Sequence, residues 1–180
     1  TPENAADRSN YAYFYVRRLP AEVMIDALDD ATGTVEEMGM KYYHWPEGLR
    51  AVEIPYVPQN EFVAFMLEQF GRSPRNSSVQ CDCQRQDDAS MLQVLALANH
   101  PRVWQKIADP SGRVGQVART HPNDSAKQVE ELFLAVLGRM PAETEAQACS
   151  THVAAAESAE KGLQGVLWSL LNTKEFLLQH

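Results

Sequence analysis

Three guanidiniums, Arg72, Arg75 and Arg85, flank Asn76 and the thiols Cys81 and Cys83 within fourteen residues. Arginine forks match carboxylate and phosphate geometry in bidentate fashion, and a loop that runs into a helix adds backbone N–H donors. This stretch is therefore a candidate grip for an anion or an acidic sugar. The competing reading is structural: the arginines pair with Asp26, Asp29, Asp87 or Asp88 and hold the loop to the first helix. A second stretch, with Tyr42, Tyr43 and Trp45, offers flat aromatic faces for stacking or for packing on the core.

The cysteines leave several chemistries open. Cys81 and Cys83 can bridge each other in a small strained ring, ligate a metal, stay reduced, or give one partner to Cys149. Two thiolates are too few for a structural zinc, which takes four ligands, so no metal site is expected. There is no CxxCH motif, and this segment carries no haem of its own. The five histidines form no HExxH or regular pair. His100, before Pro101, is expected to satisfy carbonyls at a helix end. Glu36–Glu37 and Asp29–Asp30 are adjacent pairs that diverge on a helix, and no GxSxG or GxxxxGK[ST] motif is present. No catalytic residue is nominated.

The elements that position these groups follow from punctuation and periodicity. Pro20 and Gly33 bracket a helix with Val23, Ala27, Leu28 and Ala31 on one face. Residues 34–59 lose all periodicity, with at most a short extended piece over Ala51–Ile54. Asn60 caps a second helix carrying Phe62, Val63, Phe65, Met66 and Phe70, closed by Gly71. After the polar loop from Arg72 to Asp87, Asp88 opens an apolar segment over Met91–Ala98. Two short helical turns follow, one with Val103, Trp104 and Ile107 and one with Val114 and Val117, before the break at His121–Pro122. Asp124 or Ser125 then caps a helix with Val129, Leu132, Phe133, Val136 and Leu137 at heptad-like spacing. Pro141 opens the next helix, whose small inner face (Ala146, Cys149, Val153) permits close approach. Leu163, Val166, Leu167, Leu170 and Leu171 repeat the stripe, and Asn172 or Thr173 starts a terminal turn. The expected fold is all-α: one compact multi-helix bundle over residues 1–180 with two long irregular loops.

With 180 residues, 44% hydrophobic and 22% charged, the chain is of globular composition and long enough for one ordinary core. No apolar run reaches the roughly 18–20 residues of a membrane span. The net charge of −8 argues against wrapping nucleic acid. It is unevenly spread, at −7 over residues 1–71, +3 over 72–119 and −4 over 120–180. The basic middle contains the arginine loop.

Ordered motifs run through almost the whole chain: VRRLPAE at Val16–Glu22, an Arg50–Ala51 segment ending at Pro55, FGR-x-x-R at Phe70–Arg75, C-x-C-x-R at Cys81–Arg85, Asn99, LGR-x-P at Leu137–Pro141, and LLN-x-x-EFL at Leu170–Leu177. In these the sequence resembles the C-terminal domain of unknown function of large planctomycete and verrucomicrobial proteins that often carry cytochrome-c-like domains. It departs at Gln84, where the family has an acidic residue. The resemblance implies a C-terminal part of a longer exported protein, periplasmic or at the cell surface, with any haem on a separate domain. It implies no reaction. The expectation is a non-catalytic binding or assembly module, engaging other domains of its parent, a surface partner or an anionic glycan. The alternative is an accessory part of a redox or polysaccharide-processing enzyme whose active centre lies on another domain.

Overall fold

The computed structural model of the protein describes residues 17–38, 48–54, 60–71 and 98–179. These are mainly α-helical: α1 (Ala21–Thr32), α2 (Glu61–Gln69), α3 (Pro101–Ile107), α4 (Arg113–Thr120), α5 (Ser125–Leu137), α6 (Glu143–Ala155), α7 (Ala159–Leu171) and the single turn α8 (Lys174–Leu177). The helix punctuation is that expected. Gly33 and Gly138 end α1 and α5 in the left-handed conformation that glycine adopts without a Cβ clash. Side chains of Asn60, Asp124 and Thr173 accept from first-turn amides of α2, α5 and α8. The helix after Pro141 begins at Glu143, and the Glu145 carboxylate reaches back to the Ala142 amide at 2.7 Å.

The stripes converge on one core. Met24, Ile25 and Leu28 of α1, Val63 and Met66 of α2, Val103 and Ile107 of α3, Leu132 of α5, and Leu163, Leu167 and Leu171 of α7 are almost completely buried in a single cluster. Helix α7 is central, packing on α3, α4, α5 and α6. The close approach foreseen for α6 is made through Gly162: a Cβ there would lie 2.7 Å from the Val153 Cα. Any side chain at 162 must push the two helices apart.

Two local details differ from the sequence reading. Ala51–Glu53 is a 3-10 turn, not an extended piece, because the Asp26 carboxylate accepts from the Ala51 amide at 2.6 Å and the Val52 amide at 3.2 Å, gathering successive N–H groups at a helix start. The Arg50–Ala51 motif thereby gains a physical role, since Ala51 is buried and Arg50 lies bidentate on Asp30 at 2.7 and 3.1 Å. The second detail is an unforeseen strand pair of two residues each, β1 (Arg17–Arg18) and β2 (Leu178–Gln179), antiparallel with Arg18 opposite Leu178. It joins residues 160 positions apart, beyond the reach of any local pattern.

Candidate binding site at the stems of the two loops

The nominated ligand contacts Tyr42, Tyr43, Trp45, Arg72, Arg75, Asn76 and Arg85, and the thiols Cys81 and Cys83, lie outside the described residues. Residues that flank their segments in sequence are described. Glu36 precedes the first segment, Asn60 follows Pro55–Gln59, and His100 and Arg102 follow the stretch that ends at Leu97. Asn60 and Arg102 both meet the buried Glu36 carboxylate.

Glu36 is 2% exposed. Its Oε1 accepts from Arg102 Nε at 2.6 Å and lies 3.1 Å from Lys106 Nζ, while its Oε2 accepts from Asn60 Nδ2 at 2.9 Å. The same Asn60 amide donates to the Glu37 carbonyl at 2.9 Å, and its Oδ1 caps α2. Lys106, equally buried at 2%, donates to Asp29 Oδ1 at 2.6 Å and Thr34 Oγ1 at 3.1 Å. Asp29 Oδ2 in turn accepts from the Glu36 amide at 2.8 Å. Burial alone would raise the Glu36 carboxyl, but the Arg102 bond, the Lys106 charge and the Asn60 bond outweigh it and hold the group below its ordinary range. At Asp29 burial wins over the Lys106 bond and charge, and the carboxyl is pushed up.

A carboxylate pair therefore does exist, formed not by adjacent residues but by Asp29 and Glu36, with Lys106 between them. Its oxygens are committed to Lys106, Arg102, Asn60 and a backbone amide. The arrangement is a structural knot, with the cation neutralising charge that a hydrolytic pair would need free. Sequence reasoning missed it. One signal was available: Lys106 stands three positions after Val103 and one before Ile107, on a face whose other members are buried.

His100 corrects a further expectation. It sits at the N-cap of α3, and its Nδ1 accepts from the Arg102 amide at 3.1 Å, so it serves amides at a helix start and not carbonyls at a helix end. Its ring lies 4.9 Å from both Phe62 and Phe65 of α2. Beside it, the Trp168 indole donates to the Ala98 carbonyl at 3.0 Å, tying the end of the second segment to α7.

An open cleft of about 410 Å³ lies along the C-terminal half of α1, next to the knot, and is bordered by Asp26, Asp29, Asp30, Thr34, Arg50 and Arg113 among others. Its charges are largely engaged: Asp30 holds Arg50, Asp26 holds the 3-10 turn, and Arg113 donates to the Asp30 carbonyl at 2.7 Å. Asp26 and Asp29, considered as partners of the loop arginines, are thus held by Arg50, Lys106 and backbone amides. Cys149 on α6 is a half-buried free thiol, while Cys81 and Cys83 lie outside the described residues. Burial pushes the Cys149 thiol up, away from nucleophilic character. Among the described residues no group of three or more His, Cys, Asp or Glu is placed to hold a metal ion, and no helix is long and apolar enough to cross a membrane.

The LGR-x-P and EFL motifs also meet. Arg139 lies bidentate on both Glu145 (2.8 and 2.9 Å) and Glu175 (2.6 and 2.8 Å), with its guanidinium 5.5 Å from the Phe133 ring centre. The Arg139 bonds and the Ala142 amide hold the Glu145 carboxyl down at about 2. Its folded value is depressed, so its stabilising contribution is present above the ordinary 4.5 and is lost as pH falls toward 2. Arg139→Gln should return the Glu145 titration toward 4.5 in a side-chain NMR titration; an unmoved midpoint would show that the backbone bond alone depresses it.

Residues 1–153 match the family model described as PSD1, protein of unknown function (DUF1553). The chain belongs to this family. No curated protein and no solved structure matches it. The Glu36 knot and most of the core fall within the PSD1 match, whereas α7 and Phe176, which complete the same core, lie beyond its end, as do Glu175 and the β2 strand.

Proposed function

We propose that this PSD1 domain is a non-catalytic binding or assembly module of an exported, periplasmic or cell-surface protein, in which the 39–47 and 72–97 segments carry the recognition surface. The observation that supports this is that Glu36, just before the first segment, is bonded to Arg102, just after the second, with Asn60 at the start of α2 fixing the same carboxylate. A binding site assembled from loops needs stems fixed on a rigid scaffold, because ordering a loose loop on binding costs affinity. Arg72, Arg75 and Arg85, with Asn76, supply forked donors, and Tyr42, Tyr43 and Trp45 supply ring faces. That combination suits a sugar bearing carboxylates, or an acidic surface of another domain of the parent protein. Planctomycete-type multidomain proteins with a cytochrome-like partner domain, as the motif resemblance implies, are the expected context. Any haem then belongs to that other domain.

The test is titration calorimetry with uronic-acid oligosaccharides and their neutral counterparts. Charge-assisted hydrogen bonds contribute roughly 1.5–3 kcal/mol each, so Arg75→Ala combined with Arg85→Ala should weaken acidic-sugar binding at least tenfold. The melting midpoint should stay unchanged. Preference for neutral sugars, or an affinity indifferent to both arginines, would reject the arginine grip.

A further inference from the structure

We propose that His100 is an acid-sensitive latch that fastens α3 to α2 at the base of the 72–97 segment. This goes beyond the binding reading and stands whether or not that segment takes a sugar. Three observations carry it. The imidazole packs against two phenyl rings, Phe62 and Phe65, each 4.9 Å away and both on α2. Its Nδ1 is the acceptor for the Arg102 amide, so the latched ring is neutral with its proton on Nε2. Finally, the ring caps the N-terminus of α3, whose positive dipole end disfavours a positive charge.

Protonation attacks the second and third of these together. The imidazolium has no lone pair for the Arg102 amide, and its charge faces the amide end of α3. The charged groups on the elements packed there do not rescue it. On α3, Arg102 and Lys106 are cations and oppose a further positive charge. Glu36, the nearest acidic group of that cluster, is shared by those cations and Asn60. On α2, Glu61 is exposed at the first turn and Glu68 lies near the far end. Burial lowers the His100 midpoint below its ordinary 6.5.

The sign follows. The released imidazole has its ordinary midpoint and the latched one a lower midpoint, so opening takes up a proton between the two. The latch is fully closed above pH 6.5 and loosens as pH falls through the lowered value. What opens is the contact between the two helices from which residues 72–97 leave and to which they return. Acid would therefore loosen the contact between α2 and α3 without unfolding the core beneath it.

Amide hydrogen exchange on the whole chain tests this, comparing the wild type with His100→Asn, which keeps an N-cap acceptor but cannot titrate. After correction for intrinsic rates, the opening constant at the Arg102 amide should rise in the wild type by up to tenfold per pH unit below 6.5 and then level off. In the variant it should be flat. A wild type without pH dependence, or the same dependence in both proteins, overturns the latch. Should His100→Asn not fold, the imidazole of the wild type is titrated directly by NMR. A midpoint below 6.5 that coincides with the shift of the Arg102 amide supports the proposal, and one at or above 6.5 ends it.

Discussion

Deleting residues 156–180 should abolish cooperative folding, even though the family match ends at residue 153. Helix α7 buries Leu163, Val166, Leu167, Leu170 and Leu171, and α8 adds Phe176. At about 1.5–3 kcal/mol for each fully buried side chain, their removal costs on the order of 10 kcal/mol, which is comparable with the whole net stability of an ordinary domain. The loss is not confined to the deleted part, because α3, α4, α5 and α6 would all present apolar faces to water where α7 had been. Strand β1 would lose its partner, and Arg139 would keep only one of its two carboxylates. Far-UV circular dichroism during thermal unfolding, with limited proteolysis, reads the outcome. A truncated chain that still melts in a single sharp transition would show that residues 1–155 fold alone and that α7 is an accessory.

That dependence on α7 was legible because it is local. Leucines and valines at 163, 166, 167, 170 and 171 make one helical face whatever surrounds them, and the same periodicity revealed α5. Caps are local too: Asn60, Asp124, Thr173, Gly33 and Gly138 each act within four residues of where they stand. The Glu36 knot was not legible, since its members come from positions 29, 34, 36, 60, 102 and 106, and no periodicity relates residues 77 apart. Polar residues so placed look like ordinary surface until a fold brings them together. His100 was misassigned for a related reason. Pro101 ends a preceding helix and opens a following one equally well, and only the Phe62 and Phe65 rings, which come from a distant helix, fix the imidazole over the second. The arginine loop, whose short spacing made it conspicuous, lies outside the described residues, so what the structure adds there is its foundation and not its contacts.

Lys106→Met should cost about 3–5 kcal/mol, the usual loss when one partner of a buried charge cluster is removed and the others remain. The side chain is almost as large, so little of this is a cavity. The penalty comes from Asp29 Oδ1, left without its 2.6 Å donor, and from Glu36, whose carboxylate keeps Arg102 and Asn60 but loses the buried ammonium. Adding Asp29→Asn to the same chain should recover part of the loss, because a neutral amide is much cheaper to bury than an orphaned carboxylate. Acid separates the variant from the wild type further. In the wild type the two carboxyls pull in opposite directions. Glu36, lowered, stabilises above 4.5 and loses that contribution as pH falls; Asp29, raised, favours the fold below 3.8 and loses that advantage as pH climbs through its folded value. With Lys106 gone, Glu36 loses part of what held it down and Asp29 rises further, so both changes shift the balance toward the protonated fold. The cost of Lys106→Met should therefore be smaller near pH 4 than at pH 7 in urea unfolding. An equal cost at both values would mean that packing of the lysine stem, and not its charge, holds α3 to the loop stems. A loss below about 1 kcal/mol at pH 7 would place the network among solvent-screened surface pairs, and the rigid stem on which the binding reading rests would go with it.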